Sequence, residues 1–340
     1  LALVGGLVLR VASFHWNDRL HGDVNLFALT AREFAQHGHL YYPVKYEFSD
    51  HVTYDVLRSP ASQHPVGWPL LGGLLARAFR TENTFLVLKG LCELAGALVI
   101  AIVAWGGWLS GRLRAMFVTL SCVSLSPLLA DFSANGSPYV LVTVLLLLST
   151  FLLARFRFSQ LLCYALAGAL AGLGMQVHGL LVCLPVGFVA FGLSRCSKLR
   201  VAGVAIFAAS TLLTLAPSVC RNCRHFGQPF YSYSTYYVLR AIGLAQCNIW
   251  KGIITIRVMA PVTWGTLIRY AELVAQSSTA FLLRYFLEVG PVAAALTVVG
   301  AIGLRREEGT EVLASLLPFA AYLAIITPWP RFKHRFLVPT

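Results

Sequence analysis

Residues 21–48, "HGDVNLFALTAREFAQHGHLYYPVKYEF", place a carboxylate, Asp23, directly before a run with helical spacing. Two roles are open to it. An aspartate at that position caps a helix, worth ~1 kcal/mol, and it can equally act as a general base that takes a proton from a hydroxyl nucleophile. Asp18 is the second carboxylate in reach along the chain. The wider segment 15–83 holds six of the nine histidines, namely His15, His21, His37, His39, His51 and His64. His37-x-His39 has a spacing that suits a metal, yet no H-E-x-x-H or similar pair accompanies it. No metal is therefore indicated, and no cofactor is assigned. Two compact basic clusters come later: Arg221, Arg224 and His225, then Arg331, Lys333, His334 and Arg335. Arginine offers paired hydrogen bonds to phosphate oxygens; binding of lipid headgroups is the other use for such clusters. Cys220-x-x-Cys223 beside His225 has elements of a zinc site but lacks the second pair, and a local disulfide is as good a reading. Lys89 and Glu93 stand one turn apart inside an apolar run, where charges are costly and mark function or pair with each other.

These groups sit in a very apolar chain. Of 340 residues, 57% are hydrophobic and 12% charged, about half the charged share of soluble domains, and the mean hydropathy is +0.71. A span needs ~20 mainly apolar residues, and only helices and closed barrels satisfy their backbone in lipid. The alternating ten-residue signature of a barrel (~10 residues per strand) is missing. The expectation is an all-α, polytopic transmembrane bundle with spans at 1–14, 84–108, 114–130, 137–154, 159–176, 178–194, 200–218, 289–304 and 311–326. The short basic connections at 110–114, 155–158, 194–200 and 305–310 are assigned to the cytoplasm. That leaves 15–83 as a first extracytoplasmic loop and 219–288 as the second large one, with the short connection 131–136 and the terminal 327–340 also facing outward. Segment 64–79 is too short to cross and is placed at the membrane surface. Val24, Phe27, Ala28, Ala31, Phe34 and Ala35 repeat at helical spacing, so 24–37 is predicted as an amphipathic helix in the interface plane, stopped by Gly38. The loop 219–288 carries a second amphipathic stretch at "LIRYAELVAQSSTAFLLRYFLEVG". The net charge of +13 is accounted for by loop cations and an anionic substrate. Nucleic acid would need a soluble basic face, which this chain lacks. It begins and ends beside apolar runs, so it is expected to be a fragment with a truncated first helix and further helices beyond its end; a cleaved signal peptide is the other reading of residues 1–14.

The ordered segments "HGDVNLFALTAREFAQHG", "HPVGWPLLGGLLARAF", "LSPLLADFSANGSPYVLV", "LAGALAGLGMQVHGLLVCLPV", "PSVCRNCRHFGQPFY" and "PRFKHRFLVP" resemble the GT-C membrane glycosyltransferases of the dolichyl-phosphate-mannose protein mannosyltransferase type, a group that includes the lipid A aminoarabinose transferases. The resemblance extends from about residue 10 to residue 340, with "RNCRHFGQP" and "HPVGWPLL" as its most specific pieces. It implies a single glycosyltransferase domain over 1–340 in the bacterial inner (plasma) membrane. The partners implied are a polyprenyl or dolichyl-phosphate sugar donor, a hydroxyl acceptor on a protein, lipid or glycan, and membrane lipids. Transfer would occur on the extracytoplasmic face with inversion. By the resemblance, Asp23 is the catalytic base, and Arg221, Arg331, Lys333, Arg335 and His64 bind the donor phosphate. Asp131 and Tyr139 lie nearest the acid that the family commonly carries in its second outer loop. Valine follows Asp23 where many members have Glu, and "PSVCRN" has no Trp. The reading from a different class is a transporter or flippase for an anionic lipid or sugar. Its mark would be paired halves with broken helices, and the sequence has no such halves.

Overall fold

The computed structural model describes residues 2–16, 22–42, 59–60, 65–110, 113–155, 160–178, 200–227, 229, 245–250, 253–258, 263–272 and 275. Asp18, His64, Arg331, Lys333 and Arg335 lie outside these residues, as do the spans expected at 289–304 and 311–326 and nearly all of 178–194.

Among the described residues the chain folds as α1 (Ala2–Trp16), α2 (Gly22–His37), β1 (Tyr41–Tyr42), β2 (Ser59–Pro60), α3 (Gly67–Ala78), α4 (Thr84–Ser110), α5 (Leu113–Ser124), α6 (Pro127–Ala134), α7 (Tyr139–Arg155), α8 (Gln160–Val177), α9 (Arg200–Phe226), β3 (Ala245–Trp250) and β4 (Ile253–Val258). A further helical stretch covers 264–272, overlapping the start of the second predicted amphipathic segment. The strands form two antiparallel ribbons, β1 with β2 and β3 with β4. Both fall in loops of the expected all-α bundle and modify that expectation.

Two helical runs, Thr84–Leu109 and Val201–His225, are long and apolar enough to cross a membrane. Their outward faces are apolar too: Leu94, Leu98, Trp105 and Trp108 on α4, and Leu212 and Leu213 on α9, are exposed. Three features differ from expectation. The span predicted at 114–130 is two helices, because Ser126 turns extended, its side chain accepts from the Leu129 N–H at 3.3 Å, and Pro127 opens α6. Helix α9 does not stop at 218. It carries Pro217 in its interior and ends at Phe226 with Arg224 and His225 in its last turn, where cations suit the negative end of the helix dipole. Gly227 (φ 68°) then closes it, its N–H donating to the Cys223 carbonyl at 3.0 Å. Cys220 and Cys223 are thus on a helix, exposed and unbridged.

The third difference concerns α2. Its bounds match the predicted 24–37 closely, but its apolar face is not left for lipid. Val24, Leu26, Phe27 and Ala31 are buried within the protein. Helix α3 is 12 residues, about 18 Å long, too short to cross, and it lies along α2. The close approach depends on Gly72 and Gly73: a Cβ at Gly73 would stand 2.7 Å from the Ala31 carbonyl oxygen, and one at Gly72 would stand 2.5 Å from Leu88 Cδ2. Gly73 meets Ala31 and Arg77 Nε donates to the Ala35 carbonyl at 2.8 Å. The contacts advance together along both chains, so α2 and α3 run parallel and their N-termini share one end.

Helices α8 and α9 are also parallel, with Gly168 facing the Phe207 backbone and Gly172 facing Thr211 and Thr214. This is a G-x-x-x-G contact, in which small residues let helix backbones close up. Thr211 Oγ1 uses that closeness to donate toward the Gly168 carbonyl at 3.1 Å. Gly172→Val is expected to force the pair apart and cost about 1–3 kcal/mol, as overpacking does. A thermal unfolding midpoint in detergent checks this. Gly90→Ala, where a Cβ meets nothing within 4 Å, should leave that midpoint unchanged or raise it.

The charges inside the bundle are shared differently from the expected Lys89–Glu93 pair. Lys89 Nζ donates to the Phe14 carbonyl at 2.6 Å and lies 4.5 Å from the Phe14 ring centroid, so it closes the C-terminal end of α1. Arg10 of α1, which the sequence reading did not single out, is a second buried cation in the bundle. Arg10 is buried and donates to the Gly6 and Ser124 carbonyls, each at 3.0 Å. It ties α1 to α4 and α5.

Candidate functional site

Asp23 lies in the first turn of α2, one residue inside the helix start at Gly22. Assignments of helix ends shift by a residue or two, so this placement keeps both the capping and the chemical role open. Its neighbour Val24 abuts Gly136, where a Cβ would lie 3.1 Å from Val24 Cγ1. Gly136 itself has φ +80°, a conformation glycine adopts without strain. The first turn of α2 therefore rests on the turn that joins α6 to α7.

Trp68 locks the same corner from α3. It is fully buried, packs with Phe27, Leu88 and Cys92, and its indole Nε1 donates to the Gly136 carbonyl at 3.1 Å. Cys92 Sγ donates to the Ser137 carbonyl at 2.9 Å. One residue before Trp68, Gly67 sits so close to the Gln176 carbonyl at the end of α8 that no Cβ fits. The N-cap residue of α3, Val66, supplies no side-chain hydrogen bond. The first N–H groups of α3 are thus left at the corner where α2 also begins. Helix N-termini carry partial positive charge and favour anions.

Arg221 reaches this corner from the other side. After α2, Gly38 (φ +76°) reverses the chain, and Leu40 folds back to pack on Leu26 and Val66. Arg221 Nη2 donates to the Leu40 carbonyl at 3.5 Å, and Nη1 donates to Asn222 Oδ1 at 3.5 Å. His225, one turn on, meets the Tyr41 ring edge-on at 6.5 Å, and Tyr41 stacks on His39 at 5.4 Å. Gln176 joins α8 to α9 below: its amide donates to the Thr214 carbonyl, and its Oε1 accepts from Ser218 Oγ at 3.1 Å.

Of the residues expected in the site, the structure brings the first turn of α2 and Arg221 to one end of the fold. Tyr139 is buried, its ring 5.9 Å from Phe132 and 5.0 Å from His178. Asp131 is half-buried on α6. His37 and His39 have separate partners, since His37 Nδ1 lies 3.6 Å from Glu33 Oε2 while His39 stacks on Tyr41. Among the described residues no three His, Cys, Asp or Glu side chains gather closely enough to hold a metal. Trp68, Gln176, His178 and Ser218 were not foreseen. Only Trp68 carried a sequence signal, being a large aromatic between two prolines in the short segment 64–79.

No protein-family model matches the chain, and no curated protein sequence does. Among solved structures, the crystal structure of ArnT from Cupriavidus metallidurans in the apo state matches over 96% of this chain at a TM-score of 0.51 and 14% identity. The chain spans 58% of the length of that structure, and what the two share is the fold.

Proposed function

We propose that this chain is the membrane part of a GT-C glycosyltransferase that moves a sugar from a polyprenyl or dolichyl monophosphate to a hydroxyl acceptor on the extracytoplasmic face. One observation carries the reading: the first turn of α2, which includes Asp23, lies at the same end of the parallel α2–α3 pair as the uncapped start of α3, and Arg221 of α9 reaches Leu40, which packs on Leu26 and Val66 beside that end. A base beside an anion-binding corner is the arrangement that transfer from a lipid phosphate requires. The fold shared with ArnT, a GT-C glycosyltransferase, supports it. So do the apolar outward faces of α4 and α9, which suit a multi-pass integral protein.

In the reaction the acceptor hydroxyl loses its proton to Asp23 as its oxygen attacks the anomeric carbon. The bond from that carbon to the phosphate oxygen breaks on the opposite face, so the configuration inverts. The departing phosphate gains negative charge. Arg221 and the helix N-termini stabilise it as it forms. Arg331, Lys333 and Arg335 from the late basic cluster, with His64, complete the proposed phosphate site. Asp18, Asp131 and Tyr139 are the secondary candidates.

The test is transfer by the purified full-length protein from a labelled polyprenyl-phosphate sugar. Arg221→Gln is expected to lower the rate of transfer about 10²- to 10³-fold, the loss typical when one stabilising donor is removed. Arg221→Lys should restore part of it, because it keeps the charge but not the paired geometry. Equal rates for wild type and Arg221→Gln would remove Arg221 from the site.

A further inference from the structure

At the opposite end of the α2–α3 pair from Asp23, a cleft of about 170 Å³ opens between the C-terminal turns of the two helices. It is lined by three arginines, Arg32, Arg77 and Arg80, and one acid, Glu82. Its volume suits one small group, since pockets for larger ligands run to ~300 Å³ and above. Glu82 lies 3.8 Å from Arg32, with both side chains exposed, so the pair is weak and two arginines stay uncompensated by acids within the cleft.

The Arg77 side chain and the Arg80 backbone are held in place before any ligand arrives. Arg77 Nε is tied to the Ala35 carbonyl at 2.8 Å, and the guanidinium lies 5.4 Å from the Phe34 ring centroid. Arg80 is the single non-glycine residue with positive φ (51°) among the described residues. It occupies the left-handed position after α3, where the Thr81 N–H donates back to the Ala76 carbonyl at 3.0 Å. Helices usually end there on glycine, which bears no Cβ penalty. A single basic residue would suffice to offset the dipole of α3, so three arginines, one of them strained, need another reason.

The surroundings supply it. Thr84, the first residue of α4, lines the cleft. Leu74, Phe79 and Leu86 beside it are exposed. On the reading of α4 as a membrane span, cations here stand at headgroup depth, with apolar side chains next to them for the acyl region.

We infer that the cleft formed by Arg32, Arg77 and Arg80 binds a phosphate ester at the membrane surface, at a site separate from the one at Asp23. The ligand chemistry is a phosphate mono- or diester, carried by a lipid headgroup or by a soluble molecule. The test uses the full-length protein in nanodiscs of phosphatidylcholine with or without phosphatidylglycerol. Native mass spectrometry counts the phosphatidylglycerol retained.

R77Q/R80Q is expected to lower retention by roughly tenfold or more. Arg80→Gly removes a cation while relaxing the left-handed position, so it should lose retention with no loss of thermal stability. That separates binding from folding. Glu82→Gln, which removes the competing acid, should raise retention. Competition with glycerol phosphate distinguishes the sources: displacement that depends on Arg80 assigns a soluble phosphate ester, and no displacement assigns the lipid headgroup. Retention unchanged in R77Q/R80Q, R80G and E82Q would overturn the inference. Sugar transfer is expected to be normal in R80G, so a wild type with no transfer would sink the proposed function and leave this site standing.

Discussion

Asp23→Asn is expected to lower sugar transfer about 10²- to 10⁴-fold, the contribution of a positioned general base, while the protein unfolds at its usual temperature. Asparagine is the useful replacement because it caps helices about as well as aspartate. It keeps the backbone contact that a first-turn residue can make and removes the ability to take a proton. Asp23→Ala removes both, and is expected to add a stability loss of ~1 kcal/mol to the same loss of rate. The pair of variants therefore separates the two roles that the sequence leaves open. If Asp23 only caps α2, Asp23→Asn transfers sugar at the wild-type rate and Asp23→Ala is merely less stable. Asp131→Asn is the comparison within the fold. Asp131 sits on α6 rather than at the start of α2, and its replacement is expected to cost far less rate.

Trp68→Ala is expected to produce the largest stability loss, about 3–5 kcal/mol for a buried aromatic truncated to alanine. The reasons are local. Trp68 is fully buried between Phe27 of α2 and Leu88 and Cys92 of α4. Its removal empties the space that joins α3 to both helices. It also leaves the Gly136 carbonyl without its indole donor, and an orphaned buried acceptor adds about 1–3 kcal/mol. Because Gly136 supports Val24, the first turn of α2 should loosen as well. Activity should fall further than the folded fraction does. Trp68→Phe keeps most of the packing and loses the hydrogen bond, so an intermediate effect is expected. Thermal unfolding and transfer rate, measured on the same samples, check both parts. An unfolding midpoint for Trp68→Ala equal to wild type would contradict the packing described at this corner.

The sequence was informative where local chemistry decides the outcome. The periodic apolar residues of 24–37 foretold a helix, and Gly38 foretold its end, because both signals act within a few residues. Ser126 and Pro127 also carried the break between α5 and α6, but the apolar run around them hid it. What the sequence did not show is what covers a face. The apolar side of α2 was expected to meet lipid, and it is buried against α3 and α4 because Gly72 and Gly73 let the helices close up. The meeting of Arg221 with the α2 corner was equally hidden. It depends on a reversal at Gly38 that brings Leu40 back onto Leu26, and Arg221 and Leu40 are 181 residues apart in sequence. Arg10 escaped notice because a lone cation in an apolar run names no partner, and the Ser124 carbonyl it reaches is 114 residues away on another helix.

The anomeric configuration of the product tests the central claim most directly. The full-length protein is given a polyprenyl-phosphate sugar of defined configuration and a panel of hydroxyl acceptors, and the products are read by nuclear magnetic resonance. The account predicts a glycoside of inverted configuration together with free polyprenyl phosphate, and neither product with Asp23→Asn. Recovery of the donor intact on the opposite leaflet of a liposome, with no glycoside formed, would contradict it and identify a transporter instead.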